Sequence, residues 1–337
     1  MNTIIRTIML LTIVALWVIP LQAQVGLEKV AQSTMNFLLV DVSPRSSAMG
    51  GAACALSRGA EGVLFNPAAL PESDHRLDMR VFTTQWIADI NYMVSILTYN
   101  SDRLGSIGIS LLNVDYGNLK GTSLLSSNET TLYPHGYRET GNFSAGAYAI
   151  GLSYARAISA QFLIGGTAKI TGQSLGQSTL AGGVKDNDVN KMVFDAGVKY
   201  YTFNRNLWLA MSIRNFSSNI IRETIAEQMP LLFTMGIAFD VFDFFMPKNE
   251  FNQDLLLSID FQHPNNYTER TAVGLEYNPI RNLFIRCGYY TNHDLANWSA
   301  GMGLNVDVAG KPIQFDYSYS NMEVFKGVNR FSIGFSF

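Results

Sequence analysis

The feature that most constrains this 337-residue chain is a period of two. From Leu77 to the C-terminus, segments of roughly ten residues alternate large apolar with small or polar side chains and are separated by turn residues. Met192, Phe194, Ala196, Val198 and Tyr200 form one series. Leu231, Phe233, Met235, Ile237 and Phe239 form a second, and Trp298, Ala300, Met302, Leu304 and Val306 a third. Between them stand residues such as Asp195, Gly197 and Lys199, or Ser299, Gly301 and Asn305. Side chains of a strand point alternately to opposite faces, so one face of each segment suits lipid and the other a polar lumen. After the N-terminus no run of about 18 apolar residues occurs, which excludes helical membrane spans although 47% of the chain is hydrophobic. The expected fold is all-β, a transmembrane antiparallel β-barrel.

Alternating segments fall near 78–87, 90–99, 104–114, 144–157, 161–172, 191–202, 206–216, 231–242, 253–262, 269–278, 282–291, 297–308, 312–320 and 328–337. That makes about 14 strands, and an even number returns the chain to its starting side. Links also alternate in length. Compact ones at 100–103, 157–160, 203–205, 279–281 and 309–311 are interleaved with long ones at 115–143, 172–190 and 217–230. Short periplasmic turns and longer external loops are expected of such barrels, which places the long set outside. The tight link at Ala88 and Asp89 and the long one at 243–252 depart from this rule. In the last strand Phe331, Ile333, Phe335 and Phe337 share one face, and the terminal Phe337 is the candidate assembly signal.

Composition agrees. Charged residues make up 15% of the chain, against about 25% in a typical soluble domain, while 15 Tyr, 21 Phe and 28 Gly are present. A net charge of −3 offers no basic stripe for nucleic acid. Residues 1–6 carry one positive charge, 7–20 are apolar, and Ala23 precedes a cleavage site, the layout of a secretory signal peptide. Residues 1–23 are therefore expected to be removed on export, the alternative being a retained anchor. Cys54 and Cys287 would then meet an oxidising compartment, where a disulfide between them is open but not implied by number alone. His75, His135, His263 and His293 are scattered through apparent loops without metal-ligand or catalytic spacing. No phosphate-cradling glycine motif is present, and Gly301 and Gly303 read as backbone packing within a strand. The expectation is a non-enzymatic protein with no cofactor and no metal.

Residues 24–76 lack the alternation and read as an N-terminal hatch, with 77–337 forming the barrel. A short helix is expected at 27–38 and a turn at Ser43-Pro44. Gly50, Gly51, Gly59 and Gly62 permit close backbone approaches. Asn66 followed by Pro67 and Ala68 suits a helix cap and first turn, and Asn66→Asp should largely keep that cap. Arg45 stands among small and apolar residues. It is either a clamp onto a lumenal carboxylate (Asp195, Asp260, Glu276 or Asp316) or a solvated turn residue. The link at 115–143, with Tyr133, Tyr137 and Phe143, is a candidate cap or partner surface.

Three runs here, Phe37-Leu38-Leu39, the stretch from Arg45 through Gly50 and Gly51, and that from Gly62 through Asn66, Pro67 and Ala68 to Leu70, carry a family resemblance. They resemble the N-terminal signature of the PorV/PorQ family of outer-membrane barrels of the Bacteroidetes and related phyla. The Asn66-Pro67-Ala68 element is also similar to that of the FadL group of fatty-acid transporters. The resemblance covers about forty residues closely and the rest only in layout. It implies a fourteen-stranded barrel with a hatch, resident in the outer membrane and in contact with its lipid. Two functions follow from it as expectations. One is a component of type IX protein secretion, contacting secretion components or cargo. The alternative is a FadL-like transporter admitting a hydrophobic small molecule.

Overall fold

The structure is a computed structural model, and it describes residues 32–125, 133, 135–180, 183–202, 207–222, 225–245, 253–293 and 295–337. The expected signal peptide lies outside these residues. Fourteen antiparallel strands close into one barrel. They are β1 (Leu77–Gln85), β2 (Asn91–Ser101), β3 (Gly105–Leu124), β4 (Tyr137–Ala157), β5 (Phe162–Leu180), β6 (Gly183–Tyr201) and β7 (Leu207–Phe216). After a separate hairpin of β8 (Ile220–Arg222) and β9 (Ile225–Glu227) come β10 (Leu232–Asp240), β11 (Asp254–Pro264) and β12 (Arg270–Ile280). Then follow β13 (Leu283–Thr291), β14 (Ala296–Val308), β15 (Lys311–Met322) and β16 (Val328–Ser336). Closure is made by β1, whose Val81 pairs with Ser95 of β2 on one side and Ile333 of β16 on the other. Phe337 extends that seam, exchanging backbone hydrogen bonds with Leu77 at 2.8 and 3.1 Å.

The two faces differ as the alternation demands. Ile109, Leu152, Ile170, Met192, Met302 and Phe331 are exposed on the outside. Asp195, Lys199, Asp260, Glu276, Arg286, Asp316 and Arg330 are buried inside. An apolar wall around a polar interior is stable only where the solvent is hydrocarbon, and the closed ladder leaves no strand edge unpaired within it. Among the described residues no helix is long and apolar enough to cross a membrane, so the strands make the crossing.

Two expected loops are strand instead. Most of 115–143 and of 172–190 belongs to β3–β4 and β5–β6, which continue as two ribbons, paired as far as Leu124↔Tyr137 and Leu180↔Gly183. Beyond the bilayer both faces of a ribbon meet water, so the apolar–polar alternation that marks a strand in lipid disappears. Bulges at 115/118 and 174/177 mark where each ribbon leaves the wall. Phe143 packs over Gly176, where the two ribbons meet. The link at 217–230 contains the β8–β9 hairpin, and that at 243–252 begins within a short helix, α3 (Val241–Phe245).

Residues 32–76 lie in the lumen. Helix α1 (Pro44–Ala48) touches β13 to β16, the 3-10 turn Gly59–Glu61 touches β1 and β2 and runs into the short helix α2 (Gly62–Phe65), and the 3-10 helix Pro67–Glu72 touches β2 to β6. One segment can reach strands around the circumference of a closed barrel only from within. Two local expectations need correction. Residues 27–31 fall outside the described part, and the remainder of 27–38 is not α-helical. Only Asn36–Leu39 turns, as 3-10 helix, because Met35 before it adopts left-handed backbone at φ 54°. Ser43-Pro44 is not a turn but a helix start. The Ser43 hydroxyl accepts from Ser46 N at 3.2 Å and Pro44 occupies the first helical position, where no N–H is needed.

Candidate functional site: a seated plug beneath an outer chamber

The plug is fastened by charge on one side. Arg45 projects from α1 and donates two parallel hydrogen bonds to Glu276 of β12, Nε to Oε2 and Nη2 to Oε1, both 2.8 Å. Of the four candidate carboxylates, Glu276 is the partner. Asp316 joins one step further on, because Arg286 bridges Glu276 at 2.5 Å and Asp316 at 2.6 Å. Burial works against the charged Arg45, but the summed pull of Glu276, Glu61 and Asp316 outweighs it, so the guanidinium titrates above its ordinary range. Asp195 instead pairs with Lys169 at 2.7 Å, and Asp260 accepts from Cys54 N at 2.7 Å. On the far side Lys199 holds Glu72 of the plug at 2.6 Å.

Steric fit fastens it further. Gly274 of β12 and Gly288 of β13 are paired neighbours in the wall; a Cβ on Gly274 would overlap Met49 of the plug, and one on Gly288 would overlap Met49 and Gly50. Gly165 and Gly197 are likewise paired, and they receive Pro67 and Asn66. Gly50 and Gly51 turn the chain after α1 with φ of 64° and 77°, conformations that side chains rarely adopt. Gly62 packs under Ala69 at a distance of 3.0 Å from an added Cβ. Within the strand, Gly301 makes room for Ala48 and Gly303 for the Arg286–Asp316 pair.

The Asn66 side chain is fully buried and makes four bonds, one of them a long one from Nδ2 to Cys54 Sγ at 3.8 Å. Its Oδ1 accepts from Ala68 N at 3.1 Å, while Nδ2 donates to Val198 O at 3.1 Å and Cys54 O at 3.3 Å. The amide therefore does more than cap, and Asn66→Asp cannot substitute for it as expected above. A carboxylate keeps the cap but faces two carbonyl oxygens in a dry site. Both Asn66→Ala and Asn66→Asp should loosen the plug, Asp at least as much as Ala. Limited proteolysis of 32–76 in the inserted barrel checks the order, and wild-type resistance in Asn66→Asp would contradict it. Cys54 lies beneath, buried, its thiol pushed up to about 12 by burial and by Asp260, which makes it a packing residue. Cys287 faces outward from β13, and both thiols are free.

Above the plug, at the end carrying the two ribbons, lies a chamber of about 680 Å³. Its walls are largely apolar and aromatic: Phe37, Leu39 and Phe65 from the plug, Tyr92, Tyr116, Leu175, Leu232 and Met322 from the barrel. Trp86 and Ile87, in the tight β1–β2 link, border its mouth. Five charged residues, Asp41, Arg214, Glu227, Arg270 and Arg330, stand among them. Arg330 donates to Asp41 O at 2.7 Å and Ser320 Oγ at 2.9 Å, and Arg214 donates to Leu64 O at 2.7 Å. Burial pushes the Asp41 carboxyl above its ordinary range, against the pull of Arg330. Below the plug a second cavity of about 390 Å³ has the opposite character, being lined by Arg45, Arg58, Glu72, Asp78, Arg80 and Glu276. Among the described residues no group of His, Cys, Asp and Glu is placed to hold a metal.

The four histidines take separate roles. His75 borders the lower cavity, His135 lies beside Tyr137 at the start of β4, ring centroids 6.4 Å apart, and His263, at the end of β11 rather than in a loop, meets Glu269 at 3.0 Å. His293, at the chamber mouth, is half-buried, and its Nδ1 accepts from Leu295 N at 3.2 Å and Ala296 N at 3.0 Å. Burial, then Arg270, lowers its pKa from 6.5 to about 4. Protonation removes the acceptor, and the opened link binds the proton more readily than the closed one. The closed link should therefore be fully stable above pH 6.5 and lose stability as pH falls towards 4. Amide exchange at Leu295 and Ala296, corrected for its intrinsic pH dependence, should quicken across that window. A flat profile would contradict this.

No family model matches the chain, and no curated protein matches it by sequence. Solved structures do. A Pseudomonas aeruginosa FadL homologue superposes with a TM-score of 0.55 at 11% identity, covering 88% of this chain and 98% of the other. The Pseudomonas putida toluene transporter TodX superposes at 0.56 and 14% identity, covering 88% and 99%. At such identities the likeness is one of architecture. The plugged fourteen-stranded barrel described here thus has the fold of the FadL-like outer-membrane proteins.

Proposed function

We propose that this protein is a transporter that takes a hydrophobic small molecule from outside the cell into the outer chamber. The observation that carries the proposal is the contrast between the two cavities. Of these two, the chamber on the ribbon side has the apolar walls, and a hydrophobic molecule entering it would gain free energy by removing apolar surface from water, about 25 cal/mol per Å². The solved neighbours include a protein described as a toluene transporter. In this reading residues 1–23 are a cleaved signal peptide and 24–76 are the hatch. Arg45, Gly50, Gly51, Gly62, Asn66, Pro67 and Ala68 keep the hatch seated, and Phe337 is read during assembly.

Leu39 supplies the test, since it is half-buried and lines the chamber from the plug. Leu39→Asp removes one apolar contact and adds a charge, which should weaken binding of a fluorescent hydrophobic probe by roughly ten- to a hundredfold. Leu124→Asp, at an exposed ribbon tip, should leave binding unchanged. Equal affinity in wild type and Leu39→Asp would remove the chamber from the function.

A second reading, a role in type IX secretion or surface export, is favoured by one observation besides the PorV/PorQ resemblance. The two ribbons present Leu119, Tyr137, Phe143 and Val184 outside the bilayer, a surface suited to a protein partner. Co-purification of secretion components that depends on the ribbons, with probe binding absent, would favour it.

A further inference from the structure

The inner-end links at 102–104, 158–161, 281–282 and 309–310 are tight turns, whereas that between β10 and β11 opens with α3. The outward column of β10 runs through Met235, Ile237 and Phe239 towards this end. Asp240, the next residue, turns into the barrel, and its Oδ1 accepts from Asp243 N at 2.9 Å. That bond bends the chain back over the outside of the wall. Phe244 consequently stacks on Phe239, ring centroids 5.6 Å apart, yet remains 51% exposed.

We propose that α3 is a membrane anchor, lying in the periplasmic-side interface of the outer membrane with Phe244 at the boundary between headgroups and acyl chains. Continuity identifies lipid as the occupant. Phe244 prolongs a column already facing hydrocarbon, and aromatic side chains are favoured at that depth. Asp243, on the same turn, is exposed and supplies the polar side that an interfacial helix needs. A protein partner would need a far larger patch, since stable interfaces bury upwards of about 1,200 Å². The anchor would fix the depth of the β10–β11 edge, where the inner turn is least tight.

The test uses the full-length chain in nanodiscs of phosphatidylethanolamine and phosphatidylglycerol. Under hydroxyl-radical oxidation, Phe244 should react several-fold more slowly than Phe325, an exposed aromatic of the β15–β16 link outside the bilayer at the opposite end. In a Cys287→Ser background, a fluorophore on Phe244→Cys should be quenched by lipids brominated near the headgroup and shielded from iodide. The same fluorophore on Asp102→Cys, in the tight β2–β3 turn, should show the reverse. Oxidation of Phe244 as fast as Phe325, or iodide quenching equal to that at Asp102→Cys, would overturn the proposal.

Discussion

Replacing Glu276 with alanine is expected to unseat the plug while leaving the barrel wall intact. The carboxylate stands between two guanidiniums, Arg45 of the plug and Arg286 of the neighbouring strand, and its side chain is 3% exposed. Removing one member of a buried ion pair costs about 3–5 kcal/mol, because the charge left behind has lost both its partner and its water. Here two charges are left, and they repel each other. Arg286 retains Asp316, but Arg45 keeps only Glu61, at 3.7 Å. A cost of that size raises the unseated fraction by roughly two to four orders of magnitude. Arg45→Ala should be milder, since Glu276 still has Arg286. In planar bilayers Glu276→Ala should show frequent open-channel events, Arg45→Ala fewer and wild type rare ones. Heat-modifiable barrel should be recovered in all three. Closed traces from Glu276→Ala would mean that the plug is held without this clamp.

Gly288→Val should have a comparable effect by a different route. Its backbone angles are ordinary for a strand, so the wall accepts a side chain, and the obstruction is the plug backbone at Met49 and Gly50. Overpacking usually costs about 1–3 kcal/mol, and more where the obstacle is backbone that cannot change rotamer. The plug should be displaced and cleaved within 32–76 by external protease, whereas the strands should resist. Gly310→Val makes a suitable control, since nothing lies within 4 Å of its added Cβ, although its φ of 77° adds local turn strain. Equal plug protection in Gly288→Val and wild type would refute the seating role.

The barrel was legible in the sequence because lipid imposes a sorting rule on each wall strand. Met192 to Tyr200, or Trp298 to Val306, must alternate, and no soluble sheet needs so long a series with its large side chains facing out. Where lipid ends, the rule ends. Gly117 to Leu124 and Gln177 to Leu180 are strand without any sign of it in their hydropathy. Residues 32–76, which lie in the lumen, stand out in the sequence by their lack of alternation and by their glycines, but their internal geometry does not. Left-handed Met35 depends on what surrounds it in the lumen, whereas Ser43-Pro44 is a local cap and first helical position, a helix-start signal as legible as a turn.

Which carboxylate meets Arg45 could not be read from a line of residues. Asp195, Asp260, Glu276 and Asp316 all point inward, and only the direction in which Arg45 leaves α1, past β13 to β12, separates them. The lumenal glycines opposite the plug were visible as residues, yet their meaning lies in pairings such as Gly274↔Gly288 and Gly165↔Gly197. An inward Lys199 and Arg286 in charge-poor strands were the signal that could have shown a charged plug seat. The chamber left no trace, since its lining comes from the plug and from nearly every outer link.

Occupancy of that chamber is the most direct test of the account. The protein should be purified from its own outer membrane alongside Leu39→Asp, and both should be analysed by mass spectrometry for bound small molecules and associated proteins. Wild type should carry a hydrophobic molecule that Leu39→Asp lacks, with the same barrel yield and the same associated proteins. Identical small-molecule content in the two, with secretion components as the specific companions of both, would contradict it.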